Sequence, residues 1–298
     1  MISILIPTYN YNTLPLVEEL HNQIQLENIE FEIIVQDDAS PVNEITAINS
    51  KINQLKNCYF ERNETNLGRG QNRNLMVTKA KYDWLLLLDC DMFPKSKNFF
   101  KIYLKSLQKR NPKAVFGGII YFDEKPKDDA VLRWVFGKNR EEIPLKKRLA
   151  NPYDYALISN ILIQKELLIA HPFDLEIFHY GYEDIVFILE LKKHQIPITH
   201  IENPTFHLNL EKSVIFLEKF HSSLQNLKLL IDRKIIRYED TALTKTYLKI
   251  EKANMVKLAV FLFKIFKKRF TKNLLSKNPS IFIFDVYRLG YFCQLKSR

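Results

Sequence analysis

Leu85-Leu86-Leu87-Leu88-Asp89-Cys90-Asp91 joins four consecutive leucines to two carboxylates one residue apart. Leucines in an unbroken run read as a strand buried on both faces, the pattern of a parallel sheet covered by helices. The carboxylates then emerge at the strand's C-terminal end, where open α/β sheets hold their ligands. Paired carboxylates in that place suit a hard divalent cation, which prefers oxygen ligands. The same residues also fit a strand followed by an acidic turn, because a D-x-D is a short motif. The flanking sequence decides between the two.

Working outward, strands and helices alternate. Ile2 to Ile6 is a β-rich run closed by Pro7, and Leu14 to Leu26 has helical spacing. Phe31 to Val35 reads as a second buried strand ending at Asp37-Asp38, followed by a helix over Ile45 to Leu55 and a short strand over Cys58 to Arg62. A helix over Gly70 to Ala80 leads into the leucine strand, starting at Trp84. Phe99 to Gln108 is helical, Ala114 to Phe122 reads as one strand, Ala156 to Ile163 is apolar, and Ile185 to Lys193 is helical. This order predicts an α/β fold with a doubly wound, mostly parallel sheet. Lys125 to Leu149 is charged and poor in pattern, which predicts a mobile loop beside a site.

Polar clusters close the predicted strands. Pro7-Thr8-Tyr9-Asn10 follows the first, Asp37-Asp38-Ala39-Ser40 the second, and Asp89 and Asp91 the leucine strand. Parallel strands place these three clusters on one sheet edge. Gly181-Tyr182-Glu183-Asp184 opens a helix further on.

With these residues in order, joined by Asn66-Leu67-Gly68, Arg73-Asn74, Asn160, Phe173-Asp174 and His207, residues 1–211 resemble a family-2 glycosyltransferase of the GT-A fold. The resemblance implies a UDP-sugar donor bound by Pro7, Thr8, Tyr9, Asp38, Asn66, Gly68, Arg73, Asp89 and Cys90. Thr8 and Asp38 would meet uracil and ribose, with Asp37 bracing the loop, and Arg73 would stand near base or diphosphate. Asp89 would meet the ribose or a metal-bound water. Asp91 would bind the metal, with His207 completing the site and Asp89 contributing to it. An imidazole ligand favours Mn²⁺ over Mg²⁺. Asp184 would be the general base of an inverting reaction that transfers a hexose or N-acetylhexosamine. Glu183 would hydrogen-bond the acceptor or position the base. The pair also fits an acidic first turn favoured by the helix dipole. Cys90 stands where an Asp is common in the family, and His171-Pro172 where glycines are more usual. No Q-x-x-R-W motif is present, which argues against a membrane-embedded polysaccharide synthase.

Charge divides the chain. Residues 1–211 hold 25 Lys+Arg and 28 Asp+Glu, whereas residues 212–298 hold 19 and 6, and the net charge is +10. A basic, mainly helical C-terminal region after a catalytic domain is therefore expected, with an anionic partner. Within it, Lys257, Lys264 and Lys268 share a helical stripe beside Leu258, Leu262, Phe263, Ile265 and Phe266, a pattern suited to a membrane interface. The alternative is a helix docked on the protein with its lysines solvated. Nucleic acid is not expected, for no recognised binding motif accompanies the charge. Three scattered cysteines form neither a disulfide framework nor a zinc pattern, and fit a reducing compartment. Neither a signal-peptide pattern nor an apolar run of transmembrane length is read in the sequence. The expectation is a cytoplasmic enzyme, peripheral at the inner membrane face, acting on a glycan or lipid-linked acceptor in cell-surface polysaccharide synthesis. The competing readings are a nucleotidyltransferase, which would need a Gly- and Lys-rich phosphate loop that Pro7 to Leu14 lacks, and a non-catalytic nucleotide-sugar-binding scaffold with a docking tail.

Overall fold

The computed structural model describes residues 1–110, 112–127, 129–174 and 181–297. Ten strands are found among them: β1 (Ile2–Thr8), β2 (Phe31–Asp37), β3 (Cys58–Arg62), β4 (Trp84–Leu88), β5 (Met92–Pro94), β6 (Ala114–Phe116), β7 (Ile119–Ile120), β8 (Asn160–Gln164), β9 (Ile198–His200) and β10 (Thr205–His207). Seven form the main sheet in the order β3-β2-β1-β4-β8-β6-β9. β1 lies parallel to β2 and β4, β2 to β3, and β6 to β9. β8 alone runs antiparallel, to β4 and β6. Ile4, Leu5 and Ile6 of β1, Ile33 and Val35 of β2, and all four leucines of β4 are buried, as a sheet covered on both faces requires. Leu88, the last residue of β4, pairs with Asn160, so the carboxylates leave the sheet one residue later.

The chain forms two compact units. The first comprises Met1–Tyr121, Glu142–Phe178 and Phe187–Asn209, and holds both sheets. The second comprises Phe122–Glu141, His179–Val186 and Leu210–Arg298. Its helices include Val131–Arg140, Ser213–Asp232, Ala242–Lys252, Val256–Leu274 and Ile281–Lys296. Leu132, Phe216, Leu217, Phe263, Leu274, Phe284 and Tyr287 make its core.

Three expectations need correction. The run Ala114 to Phe122 is not one strand. It breaks at Gly117-Gly118 into β6, in the main sheet, and β7, in a smaller sheet of order β5-β10-β7. Gly118 has φ +103°, and a Cβ on Gly117 would lie 2.5 Å from the Asn203 carbonyl oxygen. The backbone therefore turns where no side chain fits. The segment Lys125 to Leu149 is not a loop: it contains helices Val131–Arg140 and Leu145–Ala150. Val131 and Leu132 are buried, and the buried Arg133 reaches the Glu141 carboxylate at 3.0 Å, while Arg140, Lys146 and Lys147 are exposed. The Ile45 to Leu55 helix is an α-helix over Glu44–Asn49 followed by a 3₁₀ turn over Ser50–Gln54.

Candidate active site

Cross-strand register assembles the centre of the site. Between β4 and β5 the chain turns through Asp89-Cys90-Asp91, and the Asp89 amide donates to the Ser159 carbonyl at 3.2 Å. β10 pairs antiparallel with β5, setting His207 opposite Met92, and the Leu208 amide donates to the Asp91 carbonyl at 2.9 Å. Residues 116 positions apart are thus brought together: His207 Nε2 lies 3.6 Å from Asp91 Oδ2. Tyr121 stacks on the His207 ring with centroids 5.4 Å apart and fixes its plane.

Asp89 faces a different partner. Arg73, in the Arg69–Lys79 helix, donates to Asp89 Oδ1 at 2.7 Å and lies over the Phe173 ring at 5.5 Å. Burial raises the cost of the Asp89 charge, but Arg73, Arg69 and His207 outweigh it and hold the carboxyl below its ordinary value. The pair's contribution to stability is therefore complete above about pH 4, the unfolded value, and is lost as pH falls through the lower folded value. Arg73, expected near base or diphosphate, is 2 % exposed and serves Asp89. Arg69 is a further cation beside Asp89 and lies in none of the motifs. It precedes the apolar part of its helix, and no sequence signal separates it from a surface arginine.

A buried polar network shapes the neighbouring loop. Asp38 Oδ1 accepts from Asn63 Nδ2 at 3.0 Å and the Leu67 amide at 2.7 Å, and Oδ2 accepts from the Gly68 amide at 2.9 Å. Asn66 Nδ2 donates to the Asp38 carbonyl at 2.9 Å. A carboxylate offers about four acceptor positions, so one remains for a ligand. Asn63 also donates to Asn72 Oδ1 and accepts from Gln36 Nε2. No motif marks these three amides; the sequence signal is Asn72 within a helix, where Asn is disfavoured. Asp37 braces its own turn: its Oδ1 accepts from both the amide and the hydroxyl of Ser40.

Thr8 and Pro7 end β1, and the Asp38 amide donates to the Thr8 carbonyl at 2.9 Å, which locks the first two strand ends together. Tyr9 is exposed. The Thr8 side chain hydrogen-bonds Cys90, whose thiol is raised by burial, then by Asp91 and Asp89. It stays protonated and adds no third negative charge. Tyr11, outside the motifs, is pushed up to about 12 by burial and by Asp91 and Cys90.

Glu183 and Asp184 belong to the second unit, in the first turn of the Glu183–Lys193 helix, with Glu183 buried. The preceding turn is strained: Gly181 has φ +93° and Tyr182 φ +73°. Asn226 Nδ2 donates to the Gly181 carbonyl at 2.5 Å, and a Cβ on Gly181 would meet Ser223 Cβ at 2.6 Å. A non-glycine residue held at positive φ costs on the order of 1 kcal/mol or more, which only a surrounding structure that fixes the turn sustains.

Comparison with known proteins follows the same outline. The model of glycosyl transferase family 2 matches residues 3–168, from β1 through β8. Chondroitin synthase of Pasteurella multocida (strain Pm70) is 31% identical over 122 residues, which cover 41% of this chain and 12% of that protein. Among solved structures, the mannosyltransferase PcManGT from Pyrobaculum calidifontis, in complex with GDP-Man and Mn²⁺, aligns with a TM-score of 0.53 at 14% identity, over 78% of this chain and 64% of that one. S. aureus TarS 1–349 in complex with UDP-GlcNAc aligns with a TM-score of 0.48 at 16% identity, over 98% and 89%.

Proposed function

The chain belongs to glycosyl transferase family 2 and has a GT-A-like α/β fold, and from that premise we propose that it is an inverting, metal-dependent glycosyltransferase. It moves a hexose or N-acetylhexosamine from a UDP-sugar to a glycan or lipid-linked acceptor hydroxyl. The observation that carries this reading is the approach of His207 to Asp91 beyond the C-terminal end of β4.

A divalent cation fits that donor pair. Two ligands on one cation at about 2.1 Å stand about 3 Å apart, close to the 3.6 Å between Asp91 Oδ2 and His207 Nε2. Asp91 and His207 would hold Mn²⁺, which as a Lewis acid neutralises the leaving diphosphate. Asp89 stays ionised beside Arg73 and would meet the ribose or a metal-bound water. Thr8, Asn66, Gly68 and the remaining acceptor position of Asp38 line the uridine side, and Arg69 adds positive charge toward the diphosphate. Asp184 takes the proton from the acceptor hydroxyl, and Glu183 orients that hydroxyl.

The donor choice is tested by a thermal-shift screen. With Mn²⁺, UDP-sugars raise the unfolding midpoint, while GDP- and dTDP-sugars leave it unchanged, since only ligands that bind the folded state stabilise it. An equal or larger shift with a GDP-sugar would reassign the base pocket.

The second unit supports peripheral attachment to an anionic membrane. No helix among the described residues is long and apolar enough to cross a bilayer. On the Val256–Leu274 helix, however, Leu258, Phe261, Leu262, Ile265 and Phe266 are exposed, Phe261 by 60% and Ile265 by 55%. Lys257, Lys264 and Lys268 border this stripe and are exposed as well. Phe263 is the exception to the expected apolar face: it points inward and is 2% exposed. An apolar stripe edged by lysine suits an anionic headgroup layer, with about 1 kcal/mol of attraction per basic residue at low salt. The protein is expected to sediment with phosphatidylserine-containing vesicles and to be released by high salt. Changing Lys257, Lys264 and Lys268 to Glu should abolish sedimentation and leave UDP affinity unchanged. Undiminished sedimentation of that variant would assign the stripe to a protein partner.

A further inference from the structure

Away from the Asp91–His207 pair, three side chains with metal-binding chemistry meet on the first unit. The Lys165–Ala170 helix ends at His171, and the Glu183–Lys193 helix carries Glu190, with His194 just beyond. Glu190 and His194 are four residues apart, one helical turn, and so share a face. His194 Nε2 lies 2.8 Å from Glu190 Oε1, and His171 Nδ1 lies 3.7 Å from the same oxygen. The two imidazole centroids are 4.5 Å apart. One donor atom from each of the three residues falls within 4.8 Å of the other two.

We propose that His171, Glu190 and His194 form a second metal site, selective for Zn²⁺ and separate from the nucleotide-sugar site. Two imidazoles and one carboxylate are a borderline-soft donor set, which suits zinc and disfavours Mg²⁺. Ligands around four-coordinate zinc at about 2.1 Å stand about 3.4 Å apart, so the widest separation, within 4.8 Å, closes by up to about 1.4 Å while the 2.8 Å His194–Glu190 pair opens slightly. Glu190 and His194 are 36% and 45% exposed and have the rotamer freedom to do so. Lys193 Nζ lies 3.3 Å from Glu190 Oε2 and opposes a cation. It is 70% exposed on a long stem, and turns to solvent when metal binds. Water fills the fourth position.

The site would tie the end of one helix to another, next to the segment that carries Phe173. Two residues past His171, the Phe173 amide donates to Asn74 Oδ1 at 3.0 Å and its carbonyl accepts from Asn74 Nδ2 at 2.8 Å. The Phe173 ring lies under the Arg73 guanidinium and beside the Phe187 ring. Zinc at His171 would stiffen the segment on which Arg73 rests. The bound metal would cross-link the two helix ends and take no part in sugar transfer.

The test uses the full chain, stripped with a chelator and carrying Asp91→Ala so that the first site cannot compete. Titration with Zn²⁺ alone, followed by calorimetry, is expected to show one bound equivalent and a raised unfolding midpoint. Adding His171→Gln and His194→Gln should weaken binding by at least ~10-fold, with the metal-free midpoint unchanged. On the wild-type background the same pair of changes should remove one zinc equivalent and leave UDP affinity in Mn²⁺ intact. Equal zinc binding with and without the two histidines, or no zinc binding to the Asp91→Ala chain, would overturn the proposal. Either result leaves the reading of the nucleotide-sugar site untouched, because that reading is measured through UDP.

Discussion

Asp91→Ala is expected to abolish Mn²⁺-dependent binding of UDP and all transfer, while the chain remains folded. Asp91 stands at the turn between β4 and β5 with His207 Nε2 3.6 Å away, and its backbone carbonyl, which holds Leu208, survives the substitution. The mutation removes the negative donor of a two-residue metal site. The remaining imidazole cannot hold a hard divalent cation alone, and the diphosphate then leaves without Lewis-acid help. Asp89→Ala would be a poorer experiment. It strands the buried Arg73 guanidinium, a loss on the order of 3–5 kcal/mol that would mix unfolding with loss of binding. Titration calorimetry with UDP and Mn²⁺ decides the matter. Unchanged UDP affinity in a folded Asp91→Ala chain would take Asp91 out of the metal site.

Asp184→Asn is expected to leave UDP-sugar affinity near that of the parent and to lower turnover by roughly 10²-fold or more, the usual effect of losing a general base. The amide is isosteric and keeps the helix N-terminus, so the strained Gly181-Tyr182 turn and its hold by Asn226 should persist. The expected signature is a fall in kcat with little change in donor binding. Near-parental turnover on the true acceptor would remove Asp184 from the role and leave it as a dipole-stabilising residue.

Much of this was legible in residues 1–91. Unbroken apolar runs ending in polar clusters have one physical reading, a buried parallel sheet with its ligand edge marked, and β1, β2 and β4 lie where those runs lie. His207 was legible through resemblance, and its approach to Asp91 follows from the β5–β10 pairing, which a sequence pattern does not state. What stayed hidden was pairing. That Arg73 answers to Asp89, and that Asp38 spends three acceptor positions on the Asn63 side chain and the Leu67 and Gly68 amides, depends on groups 16 to 30 positions apart meeting in space. The antiparallel direction of β8 is equally invisible, since a buried strand reads the same in either direction. Val131–Arg140 was missed because Arg133 and Lys138 mask a helix whose apolar residues are buried in the second unit's core. The break at Gly117-Gly118 was readable in principle: two adjacent glycines within an apolar run signal a turn.

The central claim is that this site transfers a sugar from a UDP donor with the help of a metal. The measurement that tests it most directly is release of UDP from UDP-hexoses and UDP-N-acetylhexosamines by the purified chain, with Mn²⁺ and after chelation. Steady UDP release from at least one of these donors is expected in Mn²⁺, lost on chelation and in Asp91→Ala. Tight UDP binding with no release from any UDP-sugar would contradict it and would mark the chain as a nucleotide-sugar-binding scaffold.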